Sequence, residues 1–156
     1  MIRRIYSSLM SFKSLELKPG LNVLIAKKES GSTDKQTRNR AGKTSLIEIV
    51  HFLTGSDAGK DSLFRTDQLV NASFGMEFDL GGEQIRVERS GRLKAKLQVE
   101  RASFLSGKTG LSNSEWVALL GEKMFGLQHI QESEARAPTF RSLFAYFVRR
   151  QLSGAF

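Results

Sequence analysis

Asn39-Arg40-Ala41-Gly42-Lys43-Thr44-Ser45-Leu46-Ile47-Glu48-Ile49-Val50-His51-Phe52-Leu53-Thr54-Gly55 is the stretch that decides the fold. From Gly42 the sequence turns helical. Leu46, Ile47, Ile49, Val50, Phe52 and Leu53 make the helix apolar over most of its circumference, and Gly55 stops it. A helix of this kind must be buried. Upstream, Leu21-Asn22-Val23-Leu24-Ile25-Ala26 reads as a short apolar strand buried on both faces, as a central parallel strand is. A polar, charged loop, 27–41, joins the two. Strand, loop and helix in this order give Gly42-Lys43-Thr44 its chemical meaning, that of a phosphate-binding loop. Backbone N–H groups and the positive helix terminus face the phosphates. Lys43 reaches the β- and γ-phosphates, the Thr44 hydroxyl ligates Mg²⁺ and Ser45 bonds the α-phosphate. Within the phosphate loop, 37–45, the full motif G-x-x-x-x-G-K-[ST] would span residues 37–44, but Thr37 stands where its first Gly belongs.

Outward from this core, Ile2 to Leu17 reads as an interrupted strand or hairpin, closed by the turn signal Lys18-Pro19-Gly20. Residues 56–65 form a polar loop. Ala72 to Leu80 and Gln84 to Arg89 alternate in the strand manner around Gly81-Gly82, and a third strand over 95–99 completes an antiparallel meander across 72–100. Ser112-Asn113-Ser114-Glu115 caps a helix over 112–125. A polar linker, 131–138, precedes Phe140, Leu143, Phe144, Phe147 and Val148 at helical spacing. The predicted fold is α/β: a P-loop NTPase fold with a mixed sheet and an antiparallel β-meander. Residues 1–130 make the P-loop lobe, and 131–156 make a linker and helical segment.

Composition narrows the function classes. The chain has 156 residues and no cysteine, which excludes disulfides and thiolate metal sites. Its start lacks the apolar run of a signal peptide, and no stretch is long enough to span a bilayer, so a cytoplasmic protein with no membrane partner is expected. The net charge is +8. Residues 1–50 carry +6 of it, from ten basic and four acidic side chains, so the excess sits near the phosphate-loop motif. Such a segment attracts a phosphorylated ligand, nucleic acid or an anionic surface.

With flanking residues added, the motifs become more specific. Ser11-Phe12-Lys13-Ser14, Pro19 to Ile25, Asn39 to Glu48 and Leu53-Thr54-Gly55 together resemble the N-terminal lobe of SMC, RecN and SbcC ATPases. These are ABC-type heads interrupted by a long coiled coil. The resemblance implies ATP and Mg²⁺ as cofactors, with a nucleotide site at Asn39, Arg40, Ala41, Gly42, Lys43, Thr44, Ser45 and the loop residue Arg65. It also implies Gln151 as a Q-loop glutamine touching metal and attacking water. Metal ligands would then be Thr44 and Gln151, and the catalytic residue Gln151. The sequence departs from the family by about eleven extra residues, Lys27 to Thr37, as in some bacterial coiled-coil ATPases, and by Thr37 and Arg40 at usual Gly positions.

By this resemblance the chain corresponds to half a head. An apolar strand ending in Asp and followed by a catalytic Glu, the Walker B motif, is missing from the sequence, and Asp79 lies in a hairpin of the wrong type. ATP hydrolysis is therefore expected only when a C-terminal ATPase lobe or second head supplies these groups. An apolar docking surface is expected at Phe140, Leu143, Phe144, Phe147 and Val148. The implied role is DNA-associated: repair, chromosome maintenance or phage defence. The alternative is a basic nucleic-acid-binding module with a degenerate P-loop; a small-molecule kinase is disfavoured for want of a lid. Leu152-Ser153-Gly154 matches the ABC signature only by chance, because in this family the signature follows the coiled coil. His51 and His129 lack metal spacing, His51 reads as a core residue and Trp116 as a core anchor.

Overall fold

The computed structural model describes residues 1–25, 43–127 and 138–148. Within them, six strands form one sheet: β1 (Ile2–Ser7), β2 (Leu15–Glu16), β3 (Ser73–Leu80), β4 (Glu83–Ser90), β5 (Lys96–Glu100) and β6 (Gly110–Ser112), in the spatial order β2-β1-β3-β4-β5-β6. Three helices, α1 (Lys43–Leu53), α2 (Asn113–Phe125) and α3 (Phe140–Phe147), complete the described α/β fold.

Alternation along the strands sorts side chains onto two unlike faces. Ile5, Phe74, Met76, Phe78, Leu80, Ile85, Val87, Leu97 and Val99 are all buried on one of them, in a core shared with Phe52 and Leu53 of α1 and Trp116 and Leu120 of α2. The opposite face is polar. There Arg3 forks onto the Asp79 carboxylate at 2.9–3.2 Å, and the Tyr6 hydroxyl donates to Glu88 at 2.7 Å while accepting from Arg86. The Tyr6 ring lies across Gly75, where a Cβ would fall 2.1 Å from the ring; only glycine permits this crossing. Gly81 and Gly82, at φ +60° and +84°, make the β3–β4 turn in the left-handed conformation that such hairpins require.

Two expectations about the sheet are corrected. Every strand pairing among the described residues is antiparallel, so the meander belongs to one continuous sheet with the N-terminal hairpin and no mixed sheet is formed by them. Nor are residues 21–25 a buried parallel strand: Leu21, Val23 and Ile25 are 92%, 69% and 74% exposed, and no strand is assigned there. The reason is topological. β1 already has β2 on one edge and β3 on the other, and the chain leaves the sheet at Leu17, whose N–H makes the last bond to Arg3. The Asn22 side chain, bonded to the N–H and carbonyl of Lys18, then fixes the turn that carries Leu21–Ile25 away. Residue 26 lies outside the described residues.

The helices follow their caps. Ser112 Oγ accepts from the Glu115 N–H and the Glu115 carboxylate accepts from the Ser112 N–H, so the capping box read in the sequence starts α2. Thr139 and Ser142 make the equivalent pair for α3. The apolar surface expected on the last helix is half spent internally. Phe140 and Phe144 are buried and stacked at 5.0 Å, leaving Tyr146 and Phe147 exposed.

Candidate functional site

α1 runs Lys43–Leu53, and Lys43, Thr44 and Ser45 are its first described residues. Thr44 is half-buried and Ser45 exposed. Asn39, Arg40, Ala41 and Gly42 lie outside the described residues, as do the Lys43 side chain and Gln151. The structure thus brings Lys43, Thr44 and Ser45 together by helix geometry. Arg65 is exposed on the short 3-10 turn Leu63–Arg65, whose Phe64 ring stacks on Phe52 at 4.1 Å, nine residues beyond Lys43. That is about 13 Å along the helix axis.

What holds the helix in place is its far end. The last turn and the three residues after it meet side-chain donors from three other elements. Arg89 of β4 donates to the Phe52 carbonyl at 2.6 Å and the Ser56 carbonyl at 2.8 Å. The Trp116 indole of α2 donates to the Leu53 carbonyl at 2.9 Å, and Asn113 Nδ2 to the Gly55 carbonyl at 3.1 Å. Arg141 of α3 reaches Thr54 Oγ1 at 3.3 Å and His51 Nδ1 at 3.1 Å. Since guanidinium only donates, His51 Nδ1 is the acceptor and its ring proton sits on Nε2. These donors satisfy carbonyls that a helix end leaves open, and the cations complement its negative pole.

Arg89 is the unusual member. Only 4% exposed, it also donates through Nε to the Lys94 carbonyl at 2.9 Å, and it lies 4.4 Å over the Phe52 ring. Burial pushes its pKa down to about 10, with Asp57 pulling up and Arg141 pushing further down. It remains cationic at neutral pH, its charge spread over carbonyl dipoles. Sequence reasoning missed Arg89, Asn113 and Arg141. A signal existed for the first: Ile85, Val87 and Arg89 share one face by alternation, so an arginine at an inward register position announces a buried bond network.

Electrostatics on the open sheet face are balanced. Arg3 holds the Asp79 carboxyl below the usual carboxylate range, and the Met1 ammonium, 3.4 Å away, adds to this. Arg86 pairs with Glu88 at 3.4 Å and Glu100 at 3.6 Å. Burial pushes the Tyr6 phenol up to about 12. Asp79 is thus committed to an ion pair on a hairpin strand, which suits no role as a metal-binding acid.

The chemistry of the first turn fits Mg²⁺ as a phosphate-borne ion. Among the described residues no three His, Cys, Asp or Glu side chains cluster as a metal site. A hard cation there would take oxygens from phosphate, water and the Thr44 hydroxyl, a donor set Mg²⁺ accepts. Comparison with family models, curated proteins and solved structures finds no match to this chain. No helix among the described residues is long and apolar enough to cross a membrane.

Proposed function

We propose that this chain binds Mg·ATP as the N-terminal half of an SMC-like ATPase head that acts on DNA. What carries the reading is the sequence Gly42-Lys43-Thr44 beside the described start of the buried helix α1 (Lys43–Leu53). A phosphate-binding motif belongs at the N-terminal end of a helix, and the other end of α1 is fixed in the core. In this reading Lys43 supplies positive charge to the β- and γ-phosphates, the Thr44 hydroxyl holds Mg²⁺, and Ser45 and the first-turn N–H groups hold the α-phosphate. Magnesium would neutralise developing charge on the phosphates.

The reading includes a partner lobe. Leu21, Val23, Leu24 and Ile25 are all exposed. In this reading a C-terminal ATPase lobe or second head covers this apolar run and supplies the missing Walker B acid and catalytic Glu. Arg65 and Gln151 belong to the proposed site through the family resemblance.

Charge distribution weighs against the alternative of a nucleic-acid-binding module. On the open sheet face Arg3 and Arg86 are already paired with Asp79, Glu88 and Glu100, which lowers the positive charge these two residues offer to a phosphate backbone. The test is thermal stabilisation. Mg²⁺-dependent stabilisation by ATP, lost in Lys43→Ala, supports the nucleotide reading. Salt-sensitive DNA binding indifferent to Lys43 supports the other.

A further inference from the structure

We infer that the turn between β4 and β5, residues 90–96, is a contact surface for the phosphate backbone of double-stranded DNA, with Arg92 and Lys96 as the cations that meet phosphate. The surface rests on the DNA-associated part of the proposed function and is independent of the nucleotide motif.

The turn reads Ser90-Gly91-Arg92-Leu93-Lys94-Ala95-Lys96, with three cations and no acid. Arg92 and Lys96 are exposed, and among the described residues neither takes part in an ion pair, whereas Arg3 and Arg86 on the open sheet face do. Lys94 is half-buried and donates to the Ala58 carbonyl at 3.2 Å. Behind the turn lies Arg89, buried and hydrogen-bonded to carbonyls. No bonded carboxylate cancels its charge, so it adds to the positive potential over the turn.

The turn is fastened along its length. The Leu93 N–H donates to the Ser90 hydroxyl at 3.2 Å, the Lys96 N–H to the Leu93 carbonyl at 2.9 Å and the Arg92 N–H to the Val70 carbonyl at 2.9 Å. Arg89 Nε holds the Lys94 carbonyl at 2.9 Å, and Gly91 packs so closely that a Cβ would fall 1.7 Å from the Phe64 carbonyl oxygen. Cations carried on a fixed backbone lose less entropy on binding. The segment beneath, 57–70, sets Lys60 and Arg65 against Asp57, Asp61 and Asp67, so the positive excess belongs to the turn. A row of phosphates asks for cations, and each one neutralised releases counterions. Leu93, 62% exposed, is the single large apolar side chain of the turn. That is too little for a bilayer, which takes up the whole apolar face of a helix.

The test uses the full chain and a short fluorescein-labelled DNA duplex, with anisotropy titrations over a series of salt concentrations. The variants are Arg92→Gln, Lys96→Gln and the two combined; Lys108→Gln is the control, because Lys108 is an exposed cation already paired with Glu115 at 2.6 Å. Thermal melting checks that each variant folds. The surface predicts salt-sensitive binding by the wild type, a log–log salt slope flattened by about 1 for each single variant and about 2 for the double, and affinity at least about ten-fold weaker in the double at low salt. Lys108→Gln should bind as the wild type does. Absence of DNA binding by the wild type, or an unchanged slope and affinity in the double variant, overturns the surface. Binding of phosphatidylserine vesicles or polyglutamate in preference to DNA, through the same two residues, overturns it in favour of a lipid or an acidic polypeptide. Titration with Mg·ATP separates the two readings. A wild type that binds Mg·ATP but not DNA overturns the surface alone. One that binds DNA through Arg92 and Lys96 but not Mg·ATP supports the surface and overturns the nucleotide reading.

Discussion

The indole N–H of Trp116 donates to the main-chain carbonyl of Leu53 at 2.9 Å, joining α2 to the last residue of α1 inside a core where both residues are fully buried. Replacing Trp116 with Phe leaves that carbonyl without its indole donor and removes part of a large ring. The expected loss is about 1–3 kcal/mol for the buried acceptor, with a further cavity contribution. Urea unfolding measures it, and an unchanged midpoint would show that the bond adds nothing.

Gly55 stands at φ +88°, and a Cβ there would fall 2.4 Å from Val117 Cγ2. Gly55→Ala therefore combines backbone strain with overpacking and should cost about 2 kcal/mol or more. Val117→Ala removes the clash but not the strain, so the double variant should recover part of the loss. Equal stability of the single and double variants would locate the whole effect in the backbone.

Acid should weaken the fold in a defined window. Hydrogen bonds from Lys108 and Ser112 hold Glu115 down at about 2, and Asp79 and Glu83 are lowered by Arg3 and Ser103. A carboxyl depressed in the folded state contributes stability above its unfolded pKa and loses it as pH falls through the folded value. For Glu115 the loss runs from about 4.5 down to about 2. Glu115→Gln should flatten the pH dependence of the urea midpoint over that range, and parallel wild-type and variant curves would contradict the assignment.

Much of this fold was legible in the sequence because local signals agreed with tertiary demand. The end of α1, the Gly81-Gly82 hairpin and the Ser112–Glu115 cap each rest on neighbours in the chain, and all three appear. The role of residues 21–25 was not legible, since an apolar run announces that it needs covering but not whether its cover lies in the same chain. β6 escaped notice because Gly110-Leu111-Ser112 has a single apolar residue and is ordered only by pairing with β5. α1 itself was readable from its apolar periodicity. The donors at its far end were not, because Arg89, Asn113 and Arg141 meet it only across the fold.

Catalysis should be absent from this chain alone. Without a Walker B acid and a catalytic Glu, bound ATP is held but its attacking water is not oriented. Phosphate release should equal that of Lys43→Ala, and turnover well above that control would contradict the half-head account.

Exposed Leu21, Val23 and Ile25 should matter for association rather than folding. Replacing Val23 and Ile25 with Thr should shift stability by less than about 0.5 kcal/mol yet abolish capture of a C-terminal lobe supplied in trans, as read by analytical ultracentrifugation. Undiminished capture would place the interface elsewhere.

The most direct measurement of the central claim is titration calorimetry of the whole chain with ATP, with and without Mg²⁺, beside Lys43→Ala. The account predicts Mg²⁺-dependent binding by the wild type and none by a Lys43→Ala variant that melts at the same temperature. Equal binding by both proteins, or none by the wild type, would contradict it.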